Sequence, residues 1–194
     1  MKRFQNFIHG LQPTDNLIKT LTTGNNQSAL SALAVLKERE ALQDGTLQNV
    51  ELTEANLKGA ALASSKLSGI NLQAANLQNT YFYAAELNNA DLTNADLSNA
   101  NLRATNLQGA KLANAKLIQA NLARTNLSHA DLQNANLGQA NLWQTNLTGA
   151  NLTGAILVDT NISDVICDET TIMPDGEAWS EGVDWVRFTG NSKT

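Results

Sequence analysis

The sequence is poor in the residues that most often carry chemistry. One cysteine among 194 residues excludes an intrachain disulfide and a cysteine metal cluster. The two histidines, His9 and His129, have no Cys, Asp or Glu beside them at metal-ligand spacing. No glycine-rich dinucleotide fingerprint or phosphate-binding loop is present. We therefore expect no catalytic residue, no cofactor, no metal and no enzymatic activity. Charged residues make up only 16%, with a net charge of −5 and no basic run, which argues against a nucleic-acid partner. No apolar run approaches 18 residues, so no membrane span is expected. The first ten residues lack the apolar stretch of a signal peptide, and a cytoplasmic location is the expectation. Aromatics are scarce at 5%, so each one on a surface stands out.

What the chain has instead is a repeat. Ala90-Asp91-Leu92-Thr93-Asn94 is followed by Ala95-Asp96-Leu97-Ser98-Asn99, and the five-residue register runs from Leu47 to Ile172. That is 26 units, 22 of them centred on Leu and the others on Phe82, Ile162, Cys167 and Ile172. Two residues before the centre Ala stands 15 times and Thr six times; one residue before it Asn stands 12 times and Asp three times. The two positions after the centre are mixed and mostly polar.

Regular secondary structure cannot use this period. On an α-helix five residues advance the leucine by about 140°, spreading leucines around every side. On a straight strand an odd period sends successive leucines to opposite faces. A constant inward position requires the chain to turn once per unit. The small residue and the centre then share the inside, and the other three positions face outward. Asn, Asp and Gly suit such turns. The expected architecture is a closed solenoid with leucines along its axis and amides over its surface.

The A-(D/N)-L-x-x unit resembles that of the pentapeptide-repeat proteins. The resemblance implies a mainly β fold, a right-handed quadrilateral β-helix with four units per coil. Twenty-six units then make about 6.5 coils, a rod roughly 30 Å long at about 4.8 Å per coil. Thr105, Thr125 and Thr145 recur at 20, as four sides require.

Three parts follow along the chain. Residues 1–44 form an N-terminal helical cap region. Phe4, Phe7, Ile8 and Leu11 follow helical spacing, a second helix is expected from Asp15 to Leu21, and a third from Gln27 to Leu42, stopped by Asp44-Gly45. Residues 45–173 are the repeat, and residues 174–194 a capping segment with a loose tail from Thr189 onward. Trp179, Trp185 and Phe188 either cover the last coil or form an interface. Cys167 is expected to be a buried, inert thiol.

Function must lie in departures from the repeat. Residues 20 apart stack if four units make a coil, which gathers Tyr81, Tyr83, Arg103, Arg124 and Trp143 on one side as a candidate interaction surface. These residue types dominate binding hot spots. Ile118 and Val158 form a weaker apolar line. The expected function is a non-enzymatic interaction or scaffold rod with a protein partner, self-association through a terminal module being a second arrangement. The resemblance also suggests an alternative, since some members mimic DNA and modulate type II topoisomerases such as gyrase. Against it, the rod carries ten Asp/Glu and six Lys/Arg, whereas the mimics are acidic and Phe-rich.

Overall fold

In a computed structural model, which describes residues 12–190, the repeat winds as a β-helix. Each unit contributes one bridging residue, the one before the centre, and parallel bridges join residues 20 apart, from Glu51↔Asn71 to Asn146↔Ile166. Four units therefore make one coil. The inward assignment holds: the centres from Leu47 to Ile162 and the alanines and threonines two before them are buried.

One unit accounts for all its backbone donors. Leu72 N–H donates to Asp91 O in the next coil (2.7 Å) and Ala74 N–H to Thr93 O (2.9 Å). Ala75 N–H closes the turn onto Leu72 O (3.1 Å), and Asn76 N–H reaches back to Ala55 O (2.9 Å). Gln73 N–H alone has no backbone acceptor, and the Oδ1 of Asn71 takes it at 3.0 Å. This is why Asn and Asp dominate the position before the centre: their side chains supply the acceptor the ladder lacks. The same bond recurs from Gln78 N–H to Asn76 and from Trp143 N–H to Asn141.

The corner lies two residues after the centre. There φ is positive in every unit from Asn49 to Asp164, as in the third residue of a type II turn. Asn and Gly suit this conformation, but Ala74, Gln119 and Arg124 adopt it too. The buried threonines use their hydroxyls to tie coils together. Thr105 Oγ1 donates to Phe82 O (2.8 Å), Thr125 to Leu102 O (2.6 Å) and Thr145 to Leu122 O (2.8 Å). Among the described residues no buried side-chain polar atom is left without a partner.

Two helices precede the rod, α1 (Thr14–Thr23) and α2 (Asn26–Glu38). Asn25 caps α2 by accepting from Ser28 N–H at 2.9 Å. Leu17, Leu21, Ala29, Leu33 and Leu36 join one buried cluster with Leu42, Leu47 and Leu52 of the first coil. The Asn26 side-chain amide donates to Asn56 O (3.1 Å) and Lys58 O (3.0 Å), carbonyls that have no coil beneath them. α2 stops at Glu38, short of the expected Leu42. Glu40 takes φ 61° and its N–H donates to Lys37 O, while Ala41 N–H donates to Leu36 O. This is a Schellman closure made without glycine, so no residue type announced it. The expected helix at Phe4, Phe7, Ile8 and Leu11 lies outside the described residues.

The C-terminal end corrects the register. The last parallel bridge is Asn151↔Ile172, 21 residues apart, so one extra residue enters after Cys167. Ile172 is thus not a centre but the bridging residue; Met173 is the centre and is fully buried. Thr171, not Thr170, takes the inward small position, and its hydroxyl donates to Leu147 O at 2.9 Å. Asp168 accommodates the slip. Its Oδ1 accepts from Gly149 N–H (3.1 Å), the bond that a ladder carbonyl makes in regular units, and from Thr170 Oγ1 (2.6 Å). That Thr170 bond leads among the causes holding the Asp168 carboxyl below its ordinary range.

Beyond the slip the chain reverses. Ala178 pairs antiparallel with Ile172, Met173 N–H donates to Glu177 O, and Trp179 N–H to Thr171 O. A last short turn, α3 (Val186–Thr189), returns to the rod, where Asp159 N–H donates to Thr189 O at 2.8 Å. Thr189 is buried, contrary to the loose segment expected there. Trp185 and Phe188 pack against the core edge-to-face, 6.5 Å apart, with Val165 and Cys167. Cys167 is only half-buried; burial first, and the neighbouring Asp168 charge second, raise its thiol to about 11.

Candidate interaction surface

Four faces run along the rod, named here by the centres Phe82, Leu87, Leu92 and Leu97. On the Phe82 face the bridges stack Ala61, Tyr81, Asn101, Asn121, Asn141 and Asn161 in one line. The residues after the centres form a parallel line, in which Tyr83, Arg103 and Trp143 replace the small polar residues found elsewhere. The corner residues Arg124, Gln144 and Asp164 border it. Coil stacking thus brings together all five residues expected from the sequence.

They touch in two groups. Tyr81 and Tyr83, 45% and 39% exposed, stack with ring centres 6.2 Å apart. The Arg103 guanidinium lies over the Tyr83 ring at 6.0 Å. One coil further, Arg124 lies over the Trp143 ring at 4.7 Å and donates from Nε to Gln144 Oε1 at 3.1 Å. Trp143 Nε1–H donates to Asp164 Oδ2 at 3.0 Å. Between the groups sits Ala123, only 3% exposed although it occupies an outward position. Cation–π stacking of this kind holds each arginine in place and leaves its N–H edge for a ligand.

Asp164 is a member that sequence reasoning missed. It shares a corner column with Arg124 and Gln144, so the 20-residue spacing could have found it. Ile118 is half-buried and Val158 is 53% exposed, with Gly138 between them. Ile156 and Ile166, 47% and 53% exposed, add apolar surface near the C-terminal end on opposite faces.

The other faces are charged differently. The Leu92 face carries Glu51, Glu54, Asp91, Lys111 and Asp131, and Lys111 Nζ lies 3.5 Å from Asp91 Oδ2. Burial pushes the Asp91 carboxyl up, but hydrogen bonds from Thr93 and Gln73 together with the Lys111 charge outweigh it and hold it low. Asp96 on the Leu97 face is held low in the same way by Ser98, Gln78 and Lys116 against its burial. Among the described residues no His, Cys, Asp and Glu group could hold a metal ion, and no helix is long and apolar enough to cross a membrane.

The model of the pentapeptide repeats matches in eight copies, over residues 65–107, 105–144 and 130–166. No curated protein matches in sequence. Among solved structures, alr5209, a pentapeptide repeat protein from Nostoc Pcc 7120, is 31% identical over 63% of this chain and 79% of its own, with a TM-score of 0.25. Rfr23 from the cyanobacterium Cyanothece 51142 is 28% identical over 70% of this chain and 97% of its own, with a TM-score of 0.26. Full-length QnrB1, a plasmid-mediated fluoroquinolone resistance protein, is 17% identical over 63% of this chain and 76% of its own, with a TM-score of 0.43.

Proposed function

Because this chain belongs to the pentapeptide-repeat family, we propose that it is a non-enzymatic, protein-binding rod whose Phe82 face is the recognition surface. In this reading the rod is the family's right-handed quadrilateral β-helix, about six and a half coils long. Residues 12–44 cover its first coil and residues 174–190 its last. The helices α1 and α2 share one core with the first coil, and the reversed segment at Ala178 bridges the last edge. Covered ends suit a rod that presents its sides.

The observation that carries the reading is the Tyr81–Tyr83–Arg103 and Arg124–Trp143 pairing on a surface otherwise made of short polar side chains. Large aromatics and arginines are the groups that dominate interface energetics. The test is affinity capture from native lysate with the wild type and with a Tyr83→Ala/Arg103→Ala/Trp143→Ala variant. The variant is expected to fold and to lose the partner that the wild type retains; equal recovery by both would remove the face from consideration.

Modulation of a topoisomerase by DNA mimicry finds less support. A mimic needs continuous lines of negative charge, and on the most acidic face Lys111 stands between Asp91 and Asp131. Gyrase supercoiling is expected to be unchanged at micromolar protein.

A further inference from the structure

Resting on the Phe82 face as the recognition surface, we infer that the partner presents an extended, acidic segment of polypeptide to it. Charge is distributed unevenly over the rod. The Phe82 face holds Arg103, Arg124 and Asp164, a net of +1. The Leu87 face holds Lys66, Glu86, Asp168 and Glu169, a net of −2, and the Leu92 face a net of −3 from the residues named above. The Leu97 face, with Lys58, Asp96, Lys116 and Asp159, is neutral. The one cationic face thus holds both arginines of the rod, both tyrosines of the chain and the single tryptophan of the rod.

Neither guanidinium is neutralised. Among the described residues no carboxylate lies within pairing distance of Arg103 or Arg124. The one carboxylate in the patch, Asp164, accepts from the Trp143 indole instead. The two arginines leave adjacent coils, about 4.8 Å apart along the axis, and lean apart, Arg103 onto Tyr83 and Arg124 onto Trp143, so each planar guanidinium can take a carboxylate of its own. Tyr83 lies one coil to one side of them and Trp143 one coil to the other, a span of about 14 Å that four or five residues of extended chain would cover. An acidic centre flanked by apolar or aromatic contacts is therefore the complementary segment.

A second copy of this chain fits less well. Its most acidic face is the Leu92 face, but there Asp91 is already satisfied by Thr93, Gln73 and Lys111, and Glu51 accepts from Asn71. Stripping those partners would cost more than an exposed pair returns.

The test is a titration of full-length isotope-labelled protein followed by NMR. The probes are a blocked eight-residue extended peptide with Glu residues at its centre and Leu and Tyr on either side of them, its Gln-for-Glu counterpart, and inorganic phosphate at matched ionic strength. The inference expects the Glu peptide to shift the Trp143 indole N–H and the amides of Tyr83, Arg103 and Arg124. It also expects at least a tenfold weaker effect in an Arg103→Gln/Arg124→Gln variant of unchanged melting temperature. Equal shifts with the Gln peptide, shifts spread over all four faces, equal shifts with phosphate, self-association that competes with the peptide, or an unaffected double variant would each overturn it. If lysate capture depends on the patch while the Glu peptide does not bind, the acidic-segment inference fails and the protein-binding reading stands; if capture ignores the patch, the reading itself fails.

Discussion

The middle of the rod and its two ends solve the same problem differently. Between Leu72 and Leu147 each coil is the template for the next, and four of the five backbone donors of a unit find backbone acceptors by repetition. At the ends there is no next coil. Asn26 reaches up to carbonyls of the first coil, the Asp168 carboxylate stands in for a ladder carbonyl, and an antiparallel bridge at Ala178 closes the last edge. Interior stability is thus spread evenly, whereas the ends hang on single side chains.

The largest expected effect strikes the interior. Leu122→Asp buries a charge against Leu102 and Leu142 and should abolish the cooperative thermal transition, a cost of several kcal/mol. Gln133→Lys, on the outside of the same coils, should stay within about 0.5 kcal/mol. Matching melting temperatures for the two would undo the inward and outward assignment.

Next comes the C-terminal end. Asp168→Ala deprives Gly149 N–H of its acceptor, and hydrogen exchange should rise from Gly149 onward while the amides between Leu72 and Leu122 keep their protection. Uniform loss along the rod would mean that the ends are as cooperative as the middle. The pH dependence has a definite sign. The folded Asp168 carboxyl is depressed, so its contribution is present above the ordinary value of 3.8 and is lost as pH falls through the folded value. Melting curves of wild type and Asp168→Asn should therefore converge below about pH 4.

Smaller is Thr125→Val, which removes the 2.6 Å bond to Leu102 O but leaves that carbonyl the N–H of Thr105. A loss of about 1 kcal/mol in denaturant unfolding is expected. Smallest is the difference between two corner glycines. Gly109→Ala and Gly59→Ala both place a side chain at positive φ, costing about 1 kcal/mol each. Only at Gly109 does the new Cβ meet Asn89 Oδ1, at 2.6 Å, whereas nothing lies near Gly59. The extra loss at Gly109 should disappear in an Asn89→Ala background.

Much of the fold was legible because it depends on pattern. A five-residue period with Leu at its centre admits few inward geometries, and the 20-residue columns placed Tyr81, Tyr83, Arg103, Arg124 and Trp143 together before any coordinates. Other features left no such mark. The positive-φ corner tolerates Ala, Gln and Arg because the coils above and below impose it, so composition did not reveal it. The end of α2 at Glu38 relies on Glu40 in a conformation usually given to Gly. The register slip was hidden because Ile172 fits a centre as well as Leu does, and only the ladder chooses Met173. Asp164 was overlooked because a lone corner aspartate is indistinguishable from its polar neighbours until its carboxylate meets the Trp143 indole.

The sequence by itself determined the solenoid, the inward identity of leucine, alanine and threonine, and the frequent Asn or Asp before the centre. These follow from burial and from local hydrogen bonds within one unit. Tertiary structure alone decided the conformation of the corners, the slip at Asp168, the closure of both ends, and the pairing of each arginine with a ring. These depend on atoms about 20 residues or more away along the chain, which stacking brings within a few ångströms and no local preference can specify.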